Sequence, residues 1–125
     1  MTADPVAALA ARFFDAIEAG DLAAVGACYA DDAVIWHNTD GLENSKAENV
    51  ATLTGFIRHI PERRYTDRRL STFPGGFVQQ HRLVGRRRDG AHVELTACIV
   101  CAVADGAITR LDEYFDSAQV AAWSK

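Results

Sequence analysis

The stretch FFDAIEAGDLAAVGACYADDAVIW, residues 13–36, decides the fold, because two helical patterns and a strand pattern meet in it. Just upstream, Asp4 can cap a helix that starts on Pro5, and Val6, Leu9, Phe13 and Ile17 recur at the spacing of one helical face. Gly20 can end this helix, since glycine tolerates the left-handed conformation common at helix ends. Asp21 can cap a second, shorter helix with Leu22, Val25 and Tyr29 on one stripe. Val34-Ile35-Trp36, β-branched and aromatic, then predict a short strand.

Downstream, "NTDG" at 38–41 reads as a loop, and Ser45 with Glu48 fits a capping box. Val50, Leu53, Ile57 and Ile60 form the apolar stripe of a third helix, which Pro61 terminates. From Tyr65 onward the texture changes. "YTDRRLSTF", "FVQQHRLVG", "AHVELTACIVCAV" and "AITRLDEYF" are separated by the turn signals "PGG", "RRRDG" and "ADG", which predicts four strands in a largely antiparallel meander. Val120 to Trp123 reads as a short closing helix. Helices grouped on one face of an antiparallel sheet make an α+β architecture. A strongly curved sheet wrapped around three N-terminal helices leaves a deep cleft, the usual place for a small apolar ligand.

The chain has 125 residues, 49% hydrophobic and 24% charged, which fits one globular domain over residues 1–125. The formal net charge of −4 gives no general attraction to nucleic acid or to anionic membranes, and Arg86-Arg87-Arg88 falls in a turn, where a solvated role is expected. No apolar run reaches the length of a membrane span, and the N-terminus lacks the basic flank and apolar core of a signal peptide. Three cysteines without framework spacing point to reduced thiols and a cytoplasmic protein. Cys98 and Cys101 read as CxxC, but inside a strand they point to opposite faces.

Residues 13–36, with their "AGD" joint and "ADDA" before the strand, resemble the opening of the ketosteroid-isomerase and nuclear-transport-factor-like superfamily. "ADGAITRLDEYFD" resembles the ending common in its SnoaL-like polyketide-cyclase branch and in limonene-epoxide hydrolase. The resemblance spans nearly the whole chain in element order. It implies a curved sheet on three helices, an apolar conical pocket and a homodimer through the outer sheet face. Members include isomerases, cyclases, dehydratases, epoxide hydrolases and proteins without catalysis, so activity must be argued from residues.

Laid on the isomerase pattern, "ADDAVIWHN" puts His37 where an aspartate base stands. The isomerase also uses a tyrosine and a protonated aspartic acid as oxyanion donors. Those positions fall here on Phe13 and near Ile99, so the familiar steroid-isomerase mechanism is not expected. Trp36 and Asn38 resemble the Tyr-x-Asn pair of the epoxide hydrolase, whose final aspartate lands on Glu113. Its other charged positions fall near Gln80 and Arg82 with changed charges. The SnoaL-like cyclases need an acid/base carboxylate on the last strand, and Glu113 can stand in for it.

The residues themselves leave alternatives. His37 can be a rim residue bonded to a loop carbonyl or a base, and imidazole titrates near neutrality. Asn38 can turn the chain or touch a ligand. Period two puts Gln79, His81 and Leu83 on one strand face and Gln80 and Arg82 on the other, and His81 is the better candidate to face the cleft. Glu113 either faces the cleft as an acid or base, or pairs with an arginine at a dimer surface. His59 suits the end of the third helix, His92 a solvated turn and Asp116 the cap of the last helix. His37, His81 and Glu113 show no metal-binding spacing, so no metal and no other cofactor is expected.

The expectation is a cofactor-free acid/base enzyme of isomerase, cyclase or hydrolase type, acting on a small, largely apolar polyketide-, terpenoid- or steroid-like molecule. His37 takes a proton, Glu113 and His81 return it or polarise an oxygen, and Asn38 orients the substrate between Phe13, Phe14, Trp36 and Phe56. Partners are this molecule and a second copy of the chain, not nucleic acid or membrane. The rivals are a non-catalytic binding module for a hydrophobic ligand and a purely structural dimerisation domain.

Overall fold

The computed structural model describes residues 4–123. Each of its first three helices begins where a side chain takes over amides that have no partner within the helix. Helix α1, Pro5–Ala19, starts on Asp4, whose carboxylate accepts from the amides of Val6 and Ala7. It ends at Gly20, with φ of 74°. Helix α2, Leu22–Cys28, is capped by Asp21 through the amide of Ala24. Helix α3, Lys46–His59, opens with the complete Ser45–Glu48 capping box.

Six strands form one sheet: β1 Tyr29–His37, β2 Glu43–Ser45, β3 Glu62–Phe73, β4 Gly76–Arg86, β5 His92–Ala104 and β6 Ala107–Phe115. Their order is β2-β1-β6-β5-β4-β3. All pairs are antiparallel except β1 with β6, which run parallel. The β5–β6 hairpin turns on Asp105 and Gly106, both at positive φ (52° and 76°), the conformation that makes Asp-Gly a tight hairpin turn. A register shift between Thr66 and Arg69, with Asp67 at φ of 54°, bends the long β3. Helix α4, Ser117–Val120, capped by Asp116, and a 3₁₀ turn, Ala121–Trp123, close the chain.

The sheet and α1 share the main core, in which Leu9, Phe13, Phe14 and Ile17 meet Ile35, Phe77 and Ile99. A smaller cluster, Ile60, Leu83, Val93, Leu95 and Trp123, packs under the C-terminus. Strand β1 is nine residues long and takes in Tyr29, which the sequence pattern put on the stripe of the second helix. Three further features depart from the sequence reading. Glu43–Ser45 forms a short edge strand that no local pattern announced. The arginine run is not simply solvated: Arg88 Nε donates to Arg58 O (2.6 Å) at the end of α3, and Arg87 Nη1 to Ala122 O (2.6 Å). The stripe of α3 is not flush with the sheet either. Leu53 and Phe56 are only partly buried and Asn49 is the one fully buried residue of the helix, because a cavity lies beneath it. No helix among the described residues is long and apolar enough to cross a membrane.

One side chain ties helices to sheet. Arg63, 8% exposed at the start of β3, donates from Nε to Ile17 O (2.8 Å) and from Nη2 to Glu18 O (3.0 Å). Its Nη1 donates to Ile60 O (2.8 Å). The guanidinium thus satisfies carbonyls at the ends of both α1 and α3, which a planar five-donor group can do and an ammonium cannot. Gly20 makes room for it, since a Cβ there would lie 2.9 Å from Arg63 Nη2. Arg63→Lys and Arg63→Met are expected to lower unfolding stability by about 3 kcal/mol, as buried carbonyls lose charged donors. Urea denaturation followed by circular dichroism measures this; a loss under about 1 kcal/mol would refute the role.

Candidate active site

Helix α3, the inner faces of β1, β5 and β6 and the C-terminal turn enclose a cavity of about 510 Å³. Its walls are mainly apolar: Phe13, Leu53, Phe56, Ile99, Leu111 and Trp123. Two polar groups meet on one wall. The parallel register sets His37 opposite Glu113, so both side chains leave the same sheet face. Nε2 of His37 lies 3.1 Å from Oε1 of Glu113, and both side chains are mostly buried. Phe115, two residues on and on the same face, stacks on the imidazole with centroids 5.5 Å apart and planes 13° apart.

Opposing effects set the charge on His37. Burial, the largest, disfavours the imidazolium. The hydrogen bond to Glu113, its negative charge and that of Asp40 together outweigh burial, so the imidazole titrates above its ordinary 6.5. The carboxylate accepts the Nε2–H, which leaves Nδ1 as the basic nitrogen.

Asn38 serves the same geometry from outside the cavity. Its Nδ2 donates to Phe115 O (3.1 Å) and its Oδ1 accepts from Phe115 N (2.9 Å). Its backbone N donates to Glu113 O (3.0 Å). The side-chain amide thereby prolongs the β1–β6 ladder past the last residue of β1. Trp36 points to the other sheet face, where its ring meets Tyr114 at 5.2 Å. Phe14 is fully buried in the core.

His81 shares the inner face of β4 with Gln79 and Leu83. It is nevertheless not part of the cavity wall. Its ring packs against Tyr65 (4.6 Å) and Phe14 (5.4 Å). Gln79 Nε2 contacts His81 Nδ1 at 2.9 Å, and an amide nitrogen only donates, so the ring proton sits on Nε2, buried and without a partner. Burial first, then the nearby Arg68 charge, push its titration down to about 4. Of the residues picked from sequence, the structure therefore brings His37, Glu113, Phe13 and Phe56 to one cavity, and Asn38, Trp36, Phe14 and His81 elsewhere.

Further polar residues, to which the sequence reading gave no site role, stand on the wall. Tyr29, 4% exposed, donates its phenol to Oδ1 of Asn49, 5% exposed, at 2.8 Å. Asn49 stands at helical spacing from Leu53 and Phe56, so a polar residue on an apolar stripe was the available signal. Tyr65 also lines the wall, and burial above all keeps its phenol protonated. His59 lines it too, with Nε2 buried and unpartnered. Among the described residues, no three His, Cys, Asp or Glu side chains could hold a metal ion together, and Cys28, Cys98 and Cys101 are free thiols.

Known proteins match this fold closely and this sequence faintly. A protein of unknown function from Burkholderia pseudomallei, described as nuclear-transport-factor-2-like, superposes with a TM-score of 0.84 at 18% identity, covering 97% of this chain and 98% of that one. IdmH from Streptomyces antibioticus, provisionally called a polyketide cyclase, gives 0.83 at 18% identity, with 97% and 98% covered. A protein from Xanthomonas campestris pv. campestris, also provisionally called a polyketide cyclase, gives 0.83 at 20% identity, with 93% and 96% covered. No curated protein matches the sequence. The family model of the SnoaL-like domain matches residues 10–111, most of the chain, and with that match the chain belongs to the SnoaL-like domain family.

Proposed function

We propose that the chain is a cofactor-free acid/base enzyme that moves a proton on a small, largely apolar molecule, in an isomerisation, cyclisation or hydrolysis. The observation that carries this reading is the 3.1 Å contact of His37 with Glu113 on the wall of a mainly apolar cavity. In the proposed reaction, Nδ1 of His37 takes a proton from carbon or water. Glu113 holds the ring and its tautomer and balances the imidazolium that forms. The imidazolium then gives the proton back. Phe13, Leu53, Phe56 and Trp123 would grip a hydrocarbon frame, which suits a polyketide-, terpenoid- or steroid-like compound. The same reading takes the protein as a cytoplasmic homodimer joined through the outer sheet face, where Val100 and Tyr114 are exposed.

A binding module for such a molecule is the second reading. Phe13 and Ile99 favour it, because they present hydrocarbon to the cavity where the isomerases of the superfamily carry oxyanion donors.

Two measurements test the first reading. With bicyclic ketones such as 2-tetralone in deuterated water, the protein is expected to speed exchange of the protons next to the carbonyl, and His37→Ala to lose roughly a hundred-fold or more of that rate. Equal exchange by wild type and His37→Ala would defeat the enzyme reading, and tight binding without exchange would favour the module.

The second measurement needs no substrate. By NMR titration, the His37 imidazole is expected to titrate above 6.5 in the wild type, and in Glu113→Gln to fall below it, since burial then acts with less opposition. Because the folded value is raised, His37 stabilises the fold fully below about pH 6.5, and this stabilisation is lost as pH rises through the folded value. An unchanged titration in Glu113→Gln would break the pair as a functional unit.

A further inference from the structure

The polar contact between Tyr29 and Asn49 has no part in the acid/base pair, yet it lies on the same cavity wall. Burying a phenol and a carboxamide among Phe13, Ile99 and Leu111 is costly unless both are bonded. The phenol needs an acceptor, and the amide offers one only through Oδ1. The contact therefore fixes which way the amide turns. Oδ1 faces Tyr29, and Nδ2 with its two hydrogens has no protein partner among the described residues. A side chain 95% buried, held in one orientation and left with an unused donor on a cavity wall is a built hydrogen-bonding site. It lines the same cavity as His37 and Glu113.

We propose that Asn49, oriented by Tyr29, donates a hydrogen bond from Nδ2 to a carbonyl oxygen of the substrate, which makes the substrate an enolisable ketone or 1,3-dicarbonyl compound. This rests on the acid/base reading and narrows it. Nδ1 of His37 takes the proton from the carbon beside the carbonyl. The C–H electron pair becomes the new C=C bond, the carbonyl π pair moves to oxygen, and Nδ2–H of Asn49 holds the enolate oxygen. Where the substrate carries a C=C bond next to that carbon, the enolate is a dienolate, and reprotonation by the imidazolium at its far end shifts the double bond and gives an isomer. Attack of the enolate carbon on a second carbonyl of the same molecule gives a ring, and the imidazolium then protonates the new alkoxide. A fixed amide donor in a site of low polarity is among the groups that stabilise such an oxyanion. The superfamily position filled here by Phe13 supplies none, so the donor comes from α3 instead of α1.

The test is a binding comparison that requires no turnover. 2-Naphthol mimics an enol and 2-methylnaphthalene is its near-isostere without oxygen; equilibrium dialysis gives both dissociation constants. Wild type is expected to bind 2-naphthol about ten-fold more tightly. In the double variant Tyr29→Phe/Asn49→Leu, which removes the donor and leaves no phenol unpaired, the preference is expected to vanish while 2-methylnaphthalene affinity stays within about two-fold of wild type. Tyr29→Phe is expected to retain part of it. If these variants do not fold, the wild type still decides: the side-chain amide resonances of Asn49 are expected to shift with 2-naphthol and not with 2-methylnaphthalene. No preference in wild type, a preference that survives Tyr29→Phe/Asn49→Leu, or one that disappears instead in Glu113→Gln would overturn the proposal. Loss of proton exchange in the tetralone assay with the naphthol preference intact would count against the acid/base reading alone.

Discussion

Everything chemical in this molecule depends on the parallel register of β1 against β6. Residues 37 and 113 are far apart in the chain, and only that ladder sets them side by side. Side chains alternate across a strand, so a slip of one residue would turn His37 away from Glu113 and towards the outer face. The register is secured beyond the strand end by Asn38, whose amide makes both hydrogen bonds of a backbone unit with Phe115. Phe115 in turn stacks on His37. A single tripeptide, Trp36-His37-Asn38, therefore divides three tasks. The indole covers the outer face, the imidazole enters the cavity and the carboxamide holds the strands in step.

The protein contains its own control for the electrostatics. His37 and His81 are both buried imidazoles on the inner face of one sheet, and burial alone drives either towards the neutral form. At His81 nothing offsets it, and a neighbouring Arg68 adds to it, so the ring titrates at about 4 and stays neutral across the physiological range. At His37 a carboxylate in hydrogen-bond contact reverses the sign. Identical side chains thus become a packing element and a group that can carry a proton near neutrality. The difference lies in one partner, not in depth.

Fold and site were legible in the sequence to different degrees for a physical reason. Helix starts, hairpin turns and core stripes are written locally: Asp4-Pro5, Asp21, Ser45 with Glu48, and Asp105-Gly106 each declare themselves within a few residues. Strand β2 is three residues long and is a strand only because β1 lies beside it, so nothing local announces it. The same distinction governs the site. His37 drew attention as a titratable group at a strand end. Period two sets its neighbours Trp36 and Asn38 on the opposite strand face, and both lie outside the cavity. His81 carried the correct strand face, yet the ring of Tyr65 stands against it. Tyr29 was silent because it fitted the stripe of the second helix, Asn49 offered only a polar side chain at helical spacing from apolar ones, and their partnership spans twenty residues of chain.

The cavity exists because α3 is fastened at its ends and not along its length. At its beginning, the capping box and the Tyr29–Asn49 bond hold the first turns against β1. At its end, Arg63 binds the carbonyl of Ile60, which follows the helix, Arg88 binds that of Arg58, and Ile60 is fully buried. Between these anchors the inward residues are Thr52, Leu53, Gly55 and Phe56, too small in sum to fill the space down to the sheet. A helix resists bending because each turn is hydrogen-bonded to the next, so it bridges the gap instead of collapsing into it. Phe56 reaches across only far enough to stack on Trp123, at 5.7 Å. Arginines and an asparagine at the ends of α3 thus contribute to a hydrophobic hollow in the middle, and that hollow is where the paired imidazole and carboxylate face hydrocarbon.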